Sequence, residues 1–284
     1  MSTTAIPEPW SLKGKSALVT GGSRGIGRAV ALYLVRKGVS RIAITYASSA
    51  TAADDVVAEC LSLGATHAVA LRADALEPAS WPAVVKASLA KLETPRLDVL
   101  VNNAVLTNEN DYKPIAQTTA EDFSKVMVAN VYGPLATTVA FLEQHAAGEG
   151  KAAGRVINIS SQAAREPNPD PLITYSASKA ALDSYTRSLA VSFSAEKGVT
   201  FNTAVVGPTA TDSLLKALSV FPREFGEGLK AQATVAHRLG EVEDIARIVG
   251  FLASDESGWV NGAAVSANGG ARGLLAALGE GPWR

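Results

Sequence analysis

A tyrosine and a lysine lie four residues apart, at Tyr175 and Lys179, in a segment with the pattern of a helix from Tyr175 to Glu196. Residues at this spacing share one helix face, so the two side chains project together. A phenol has a pKa of about 10, and a neighbouring ammonium lowers it by stabilising the phenolate. The pair predicts acid–base catalysis at a substrate oxygen, with the lysine also able to donate to a nucleotide ribose. An unrelated exposed pair is the weaker alternative.

Two further polar positions could assist such a reaction. Ser160 and Ser161 end the predicted strand from Arg155 to Ile159, where a hydroxyl can donate to a substrate oxygen as charge develops. Side chains alternate along a strand, so only one of the two should face the cleft. Asn130 lies in an apolar helical stretch although asparagine is a poor helix former. It predicts either a water held near Lys179 as a proton path or a buried structural hydrogen bond.

A glycine-rich turn joins the first predicted strand, Ser16 to Thr20, to a predicted helix from Ile26 to Lys37. Gly21, Gly25 and Gly27 permit positive φ and a close approach of the backbone to a pyrophosphate. The helix offers unpaired N–H groups and the positive end of its dipole to that anion. A turn in this position predicts a dinucleotide site. The alternative is a tight turn without a ligand.

The second predicted strand, Arg41 to Thr45, indicates which dinucleotide binds. NAD-specific sites usually carry an acid at the end of this strand, for the ribose 2′-hydroxyl. Here no acid occurs before Asp54. Ser48 and Ser49 could donate to a 2′-phosphate, and Arg24 could supply a cation, although a solvated charge is the alternative for that arginine. The pattern favours NADPH/NADP+ over NADH as the cofactor.

Asp74 follows the third predicted strand, Ala68 to Leu71. Its carboxylate could accept from the amino group of an adenine. It could equally be the N-cap of the helix that follows. Geometry alone leaves both roles open.

Short apolar strands alternate with helical patterns from Lys15 to Gly270, without a linker or an internal repeat. This alternation predicts an α/β fold, a doubly wound parallel sheet with helices on both faces. Ligands of such sheets lie beyond the carboxyl ends of the strands, where every motif above falls. A long helix from Thr119 to Gln144 should bend near Gly133-Pro134. The other predicted elements are strands at 97–101, 199–205 and 263–267, helices at 52–63, 79–92 and 241–252, and an interrupted stretch at 214–233.

The composition limits the class of protein. Of the 284 residues, 47% are hydrophobic and 19% charged, and the net charge is −1, which favours a sizeable core and disfavours nucleic acid or an anionic membrane as a partner. The single Cys60 allows no intrachain disulfide, and no metal-ligand spacing is present, so we expect no metal site. No signal peptide or membrane-spanning segment is apparent. We expect a cytoplasmic protein with a flexible tail at 1–14 and one catalytic domain at 15–284.

With these residues identified, the sequence resembles the short-chain dehydrogenase/reductase family over nearly the whole chain. The resemblance implies a single Rossmann-type domain, an NADPH-preferring ketoreductase with a Ser-Tyr-Lys mechanism, and a homotetramer or homodimer. The matching segments are Thr20–Gly27, Asn102-Asn103-Ala104, Asn130, Ser161, Tyr175 with Lys179, Arg238-Leu239-Gly240, Asp244-Ile245-Ala246 and Phe251-Leu252-Ala253-Ser254.

The resemblance also implies roles for individual residues. Tyr175 would be the general acid in reduction, Lys179 would lower its pKa and bind ribose, and Ser161 would position the carbonyl. Asn130 would complete the proton relay, and Asp74 would accept from the adenine. The remaining expected cofactor contacts are Gly21, Ser23, Arg24, Ile26, Gly27, Ser48, Asn103, Gly207 and Thr209.

Three positions depart from the family pattern. Val105 replaces a glycine, Val206 replaces a proline and Asn268 replaces an aspartate of the family's motifs. Val105 would lie near the nicotinamide cleft, where it could narrow the substrate site. None of the three has a catalytic role in the pattern, so we expect activity to be retained.

Two variable segments should shape the substrate pocket, the loop Arg165–Pro171 and a lid at about 209–229 that contains Phe221 and Phe225. Their apolar content predicts a small-molecule carbonyl or alcohol substrate, a medium-sized apolar or aromatic ketone. One alternative is a 3-oxoacyl thioester reductase, which would need a basic patch for its carrier. A catalytically silent NADPH-binding protein is the other alternative. The candidate patch residues are Arg165, Lys216, Arg223 and Lys230.

Overall fold

The computed structural model describes residues 8–106, 113–145, 153–219 and 222–276. In these ranges, seven strands form one all-parallel sheet in the order β3-β2-β1-β4-β5-β6-β7, with helices on both faces. This confirms the predicted doubly wound α/β fold. The strands are β1 (Ser16–Val19), β2 (Arg41–Tyr46), β3 (His67–Arg72), β4 (Val99–Asn102), β5 (Gly154–Ser161), β6 (Val199–Val206) and β7 (Ala264–Ala267). The helices are α1 (Gly25–Arg36), α2 (Ala50–Ser62), α3 (Ser80–Lys91), α4 (Ala120–Met127), α5 (Gly133–Leu142), α6 (Ile173–Lys197), α7 (Asp212–Leu218), α8 (Arg223–Gln232), α9 (Val242–Ala253) and α10 (Arg272–Ala276).

Helices cover both faces of the sheet and bury its central strands. Every residue of β1, β4 and β6 is buried, as expected for apolar parallel strands. On one face α1, α2 and α9 pack through a cluster that includes Val30 and Val249. On the other face α3, α5 and α6 pack through a cluster that includes Trp81 and Phe141. Because the strands are parallel, the segments that follow β1, β2, β4, β5 and β6 all begin at one edge of the sheet.

The helix predicted from Thr119 to Gln144 is divided by a turn of π-helix. α4 leads into π-helical residues Val128–Tyr132, and α5 follows with Pro134 in its first turn. The break therefore lies just before the predicted bend at Gly133-Pro134. Pro134 itself does not interrupt α5, because proline is tolerated in the first turn of a helix. π-Helical insertions are frequent at functional sites, and this one contains Asn130.

Residues 120–142 are long and apolar enough to cross a membrane by length and composition alone. Of their most apolar window, 61% is buried inside the protein, as in a core helix. No other described helix meets this test.

The prediction of a flexible tail at residues 1–14 is wrong for residues 8–14, which pack against the domain. Leu12 is completely buried, and its backbone N–H donates to the carbonyl of Lys37 at 2.7 Å. The Trp10 ring packs edge-on against Phe251 of α9, with ring centroids 6.2 Å apart, and the backbone N–H of Trp10 donates to Glu256 Oε1 at 2.9 Å. Residues 8–14 therefore belong to the packed domain. Residues 1–7 of the predicted tail lie outside the described residues.

The interrupted stretch after β6 forms two short helices, α7 and α8, without a buried side chain. Hydrogen bonds fix the segment that follows α8 to the segment after β7, because the N–H groups of Thr234 and Val235 donate to the carbonyls of Gly270 and Gly269. Phe221 lies outside the described residues, and the lid at about 209–229 stays a prediction.

Candidate active site

The glycine turn after β1 forms a backbone cradle at the start of α1. Gly21 and Gly25 adopt φ values of 64° and 53°, in the region that favours glycine. A Cβ at Gly27 would clash with the carbonyl oxygen of Gly21 and lie 2.5 Å from Asn103 Nδ2. The turn therefore requires glycine here, and its N–H groups at a helix start are suited to a pyrophosphate.

Asn103, which follows β4, holds this cradle in place. Its Nδ2 donates to the carbonyls of Thr20 at 2.9 Å and Gly21 at 3.0 Å. Its backbone N–H donates to Thr20 Oγ1 at 2.9 Å. The side-chain amide predicted to contact the cofactor is thus engaged with the turn that would hold the cofactor.

The predicted contacts for the adenosine half lie around the ends of β1 and β2. Ser23 and Ile26 are half-buried at the start of α1, and Arg24 is its exposed N-cap residue. Ser48 is exposed just after β2, whereas the hydroxyl of Ser49 caps α2 by accepting from Ala52 N. The β2 end therefore presents an exposed hydroxyl and no carboxylate.

Asp74 is not an N-cap, which excludes one of its two predicted roles. Its Oδ1 accepts from Leu76 N at 2.9 Å in a local turn, and α3 begins six residues later at Ser80 with Ala79 as its N-cap. The adenine contact stays a prediction.

The Ser161 hydroxyl lies beside the Tyr175 phenol at the carboxyl end of β5, where hydrogen bonding from Ser161 lowers the pKa of the phenol. The Ser161 hydroxyl also accepts from Ala163 N at 3.1 Å. Ser160 is buried on the other side of the strand, with its hydroxyl 3.5 Å from the Lys179 carbonyl. The alternation along β5 thus brings Ser161, and not Ser160, to the tyrosine.

Lys179 lies below the tyrosine on α6. Its Nζ is 5.9 Å from the centre of the Tyr175 ring and donates to the Ile159 carbonyl at 2.9 Å. Burial lowers the pKa of Lys179 to about 8, and the charge of Asp183 partly opposes this. Burial also raises the pKa of Tyr175, which the hydrogen bond with Ser161 partly offsets. The sequence predicts a lowered tyrosine pKa, and the opposite sign arises because burial of the phenol outweighs the hydrogen bond with Ser161.

Asn130 joins the π-helical turn to α6. Its Nδ2 donates to Ser178 Oγ at 3.2 Å, and its Oδ1 accepts from Leu106 N at 2.9 Å. The Ser178 hydroxyl donates in turn to the carbonyl of Tyr175 at 2.6 Å. The predicted structural hydrogen bond is therefore present, and a proton relay through water to Lys179 stays a prediction.

Gly207 and Thr209 follow β6 at the same carboxyl edge of the sheet as the cradle. A Cβ at Gly207 would lie 2.9 Å from Asn268 Cβ and 3.0 Å from Gln162 Oε1, so no larger residue fits. Thr209 is buried and its hydroxyl donates to the Gly207 carbonyl at 2.9 Å. Asn268 Oδ1 accepts from the N–H groups of Gly270 and Ala271.

Three residues beside the catalytic set escaped the sequence analysis. Gln162, directly after Ser161, donates from Nε2 to Gln232 Oε1 at the end of α8, at 2.7 Å. Glu166 places Oε1 in the interior without a hydrogen-bond partner among the described side chains, and burial raises its pKa. The sequence shows only that these residues are polar, because their partners are remote in sequence.

Comparison with known proteins agrees with this geometry. The family model described as Enoyl-(Acyl carrier protein) reductase matches residues 21–272. The short chain dehydrogenase asqE of Emericella nidulans is 49% identical over 270 residues, which cover 95% of this chain and 98% of that protein. A blue fluorescent protein from a metagenomic library, solved in complex with NADPH, is 35% identical with a TM-score of 0.80, covering 92% of this chain and 98% of that one. The promiscuous reductase LugOII, which catalyses keto-reduction at C1 during lugdunomycin biosynthesis, is 33% identical with a TM-score of 0.80, covering 92% and 99%.

The parallel sheet, the glycine cradle and these matches define an oxidoreductase that acts on CH–OH or C=O groups. The chain belongs to the short-chain dehydrogenase/reductase family. NAD(P)H is the cofactor of this class, and the described residues fit it: the glycine turn admits no Cβ at Gly27 and lies at the start of α1, where backbone N–H groups can bind a pyrophosphate. Among the described residues, no cluster of side chains could hold a metal ion.

Proposed function

We propose that this protein is an NADPH-dependent ketoreductase that converts a small-molecule carbonyl to an alcohol, or the reverse, by a Ser-Tyr-Lys mechanism. One observation carries the proposal: the Ser161 hydroxyl and the Tyr175 phenol lie together at the end of β5, with buried Lys179 Nζ 5.9 Å from the centre of the tyrosine ring. A phenol and a hydroxyl placed side by side can both donate to one substrate oxygen.

Each side chain has a distinct task in this proposal. NADPH, when bound, supplies the hydride that reduces the carbonyl carbon. Tyr175 donates its phenolic proton to the carbonyl oxygen, and its raised pKa keeps that proton in place until transfer. Ser161 donates a hydrogen bond to the same oxygen, where charge develops. Lys179, with a pKa of about 8, is largely an ammonium near neutral pH and stabilises the phenolate that remains.

The preference for NADPH over NADH rests on the end of β2. A carboxylate there would repel a 2′-phosphate, and the residues from Tyr46 to Ser49 include none. The exposed hydroxyl of Ser48 and the exposed side chain of Arg24 are suited to bind such a group. The NADPH complex of the metagenomic relative supports this assignment.

The substrate class is proposed as a medium-sized apolar or aromatic ketone. The keto-reduction named for LugOII supports ketone chemistry. A 3-oxoacyl thioester reductase is less favoured, because acidic partners neutralise two of the four basic residues that would bind its carrier. Arg165 pairs with Asp183, and Lys230 pairs with Glu227.

We further propose a homodimer or homotetramer that assembles through the outer surface of α4, α5 and α6. Large apolar side chains are exposed along these helices, and exposed apolar surface of this kind marks sites of protein–protein contact. They include Phe123, Val139, Ile173, Tyr185 and Val191.

The test is NADPH oxidation, followed by absorbance, across a panel of aliphatic ketones, aryl ketones, quinones and 3-oxoacyl thioesters. Tyr175→Phe should abolish turnover of any ketone that reacts, while NADPH still binds, because the phenyl ring preserves packing and removes only the proton donor. Retained turnover would refute the role of Tyr175. Tight NADPH binding without any turnover would favour a silent NADPH-binding protein.

A further inference from the structure

A buried carboxylate lies behind the catalytic lysine and has no role in the mechanism above. Asp183 is only 5% exposed and follows Lys179 by four residues on α6. Its Oδ1 has no hydrogen-bond partner among the described residues. Its Oδ2 lies 3.5 Å from Nε of Arg165, in the loop that follows Ser161.

Buried carboxylates without full hydrogen bonding are costly, so this one calls for a compensating interaction. Residues four apart on a helix are neighbours on one face, and both Lys179 and Asp183 are buried there. The ammonium of Lys179 makes its hydrogen bond with a neutral carbonyl, that of Ile159. The lysine therefore has no bonded counter-ion among the described residues, and Asp183 is the carboxylate on its own face.

No charged residue on the described elements packed against α6 could serve as the counter-ion of Lys179 in place of Asp183. On α4, Glu121 pairs with Lys125 and Asp122 with Lys113 at the surface. The only charged residue of β5 is Arg155 at its opposite end, where it meets Asp255, and β6 has none. The π-helical turn contributes only the half-exposed phenol of Tyr132. α6 itself adds Tyr175, the exposed Tyr185 and Arg187, and a Glu196–Lys197 pair at its far end.

We propose that the carboxylate of Asp183 keeps Lys179 in its ammonium form and that Arg165 moderates this effect by sharing the carboxylate. The inference rests on the function proposed for Lys179. Asp183 is then a positioning residue that acts through the lysine. Arg165 connects the charge of that lysine to the loop between Ser161 and Tyr175, which is predicted to shape the substrate pocket.

The signs follow from Coulomb's law. Burial disfavours the ammonium and lowers the pKa of Lys179 to about 8, while Asp183 raises it. Loss of the carboxylate should lower that pKa further, by roughly one unit for a neighbouring charge in a partly screened site. Loss of the Arg165 cation should shift it upward by less, because its side chain is 36% exposed and therefore screened.

The experiment titrates Lys179 directly, so its outcome does not depend on turnover. The holoenzyme is prepared with 13C at the lysine ε-carbons, and the Lys179 resonance is assigned by its loss in Lys179→Met. Asp183→Asn, which preserves shape, should move the titration of Lys179 down by about one pH unit. Arg165→Gln should move it upward. Arg187→Gln, an exposed charge on the same helix, is the matched control and should leave the titration unchanged.

A further readout, the pH dependence of turnover, separates this role from a structural one. With any ketone that is reduced, the alkaline limb of the pH profile should shift downward in Asp183→Asn and return in Asp183→Glu. Arg165→Gln keeps the test decisive if Asp183→Asn fails to fold. An unchanged Lys179 titration in the folded variants, with only a lower Tm, would overturn the inference. If Lys179 titrates as expected but no carbonyl is ever reduced, the inference stands and the proposed function fails.

Discussion

The side-chain amide of Gln162 donates to that of Gln232 across 2.7 Å. This bond links the residue directly after Ser161 to the last residue of α8. The other face of the Gln162 amide rests against Gly207, where a Cβ would lie 3.0 Å from Oε1. One amide thus spans the ends of β5, β6 and α8, and it sets the position of the helix over the catalytic strand.

Gln232→Leu should loosen α8 while leaving the cofactor cradle intact. Loss of one partly buried hydrogen bond should raise the KM for a ketone roughly threefold to tenfold, with little change in NADPH affinity. Hydrogen exchange of α8 in the NADPH complex should become faster. Glu227→Gln, which breaks only the exposed pair with Lys230, is the control. Unchanged exchange in Gln232→Leu would show that the bond does not hold the helix.

Gly27→Ala should weaken cofactor binding. The added methyl would clash with the Gly21 carbonyl and press on Asn103, so the cradle must open. Overpacking of this kind predicts a loss of roughly tenfold or more in NADPH affinity, measured by fluorescence titration. Gly228→Ala serves as the comparison, because a Cβ there meets nothing within 4 Å. Equal affinity in the two variants would argue against the cradle as the cofactor site.

Ser48→Asp should reverse part of the cofactor preference. A carboxylate at the end of β2 would repel a 2′-phosphate and accept from a 2′-hydroxyl. The ratio of NADPH to NADH affinity should fall on the order of tenfold. Ser62→Asp, at the far end of α2 and also exposed, controls for added charge. A ratio that stays constant would place the 2′-phosphate elsewhere.

Glu166→Gln should stabilise the protein at neutral pH. Burial raises the pKa of Glu166 in the folded state, against a partial offset from a hydrogen bond with the Leu274 backbone. Folding therefore favours the protonated acid, and the stability it contributes is lost as pH rises through the folded-state pKa. The Tm of Glu166→Gln should exceed that of the wild type at about pH 7 and converge with it at about pH 4. A constant difference across this range would contradict the assignment.

The sequence was sufficient for those features that short-range patterns determine. Apolar runs identified the strands, and the spacing of Gly21, Gly25 and Gly27 identified the turn. The interval of four residues placed Tyr175 and Lys179 on one face of α6. Each of these inferences needs only local geometry, which the residues themselves dictate.

What the sequence did not predict depends on contacts between distant segments. The π-helical turn in the long helix contains Asn130, whose amide bonds to Leu106 and Ser178, and neither partner is near in sequence. Burial of Leu12 requires the Lys37 carbonyl. The sign of the Tyr175 pKa shift depends on how completely the fold removes water from the phenol, which no spacing reveals.

The packing of residues 8–14 matters for handling the enzyme. Leu12 and Gly14 are hydrogen-bonded to Lys37 and Gly38 at the end of α1, and β1 begins at Ser16. This segment therefore sits at the amino edge of the sheet, whereas the glycine cradle sits at the carboxyl edge. If the protein were immobilised through its amino-terminal segment, the amino edge of the sheet would lie against the support. The cofactor entrance at the carboxyl edge would then stay open to the surrounding solution.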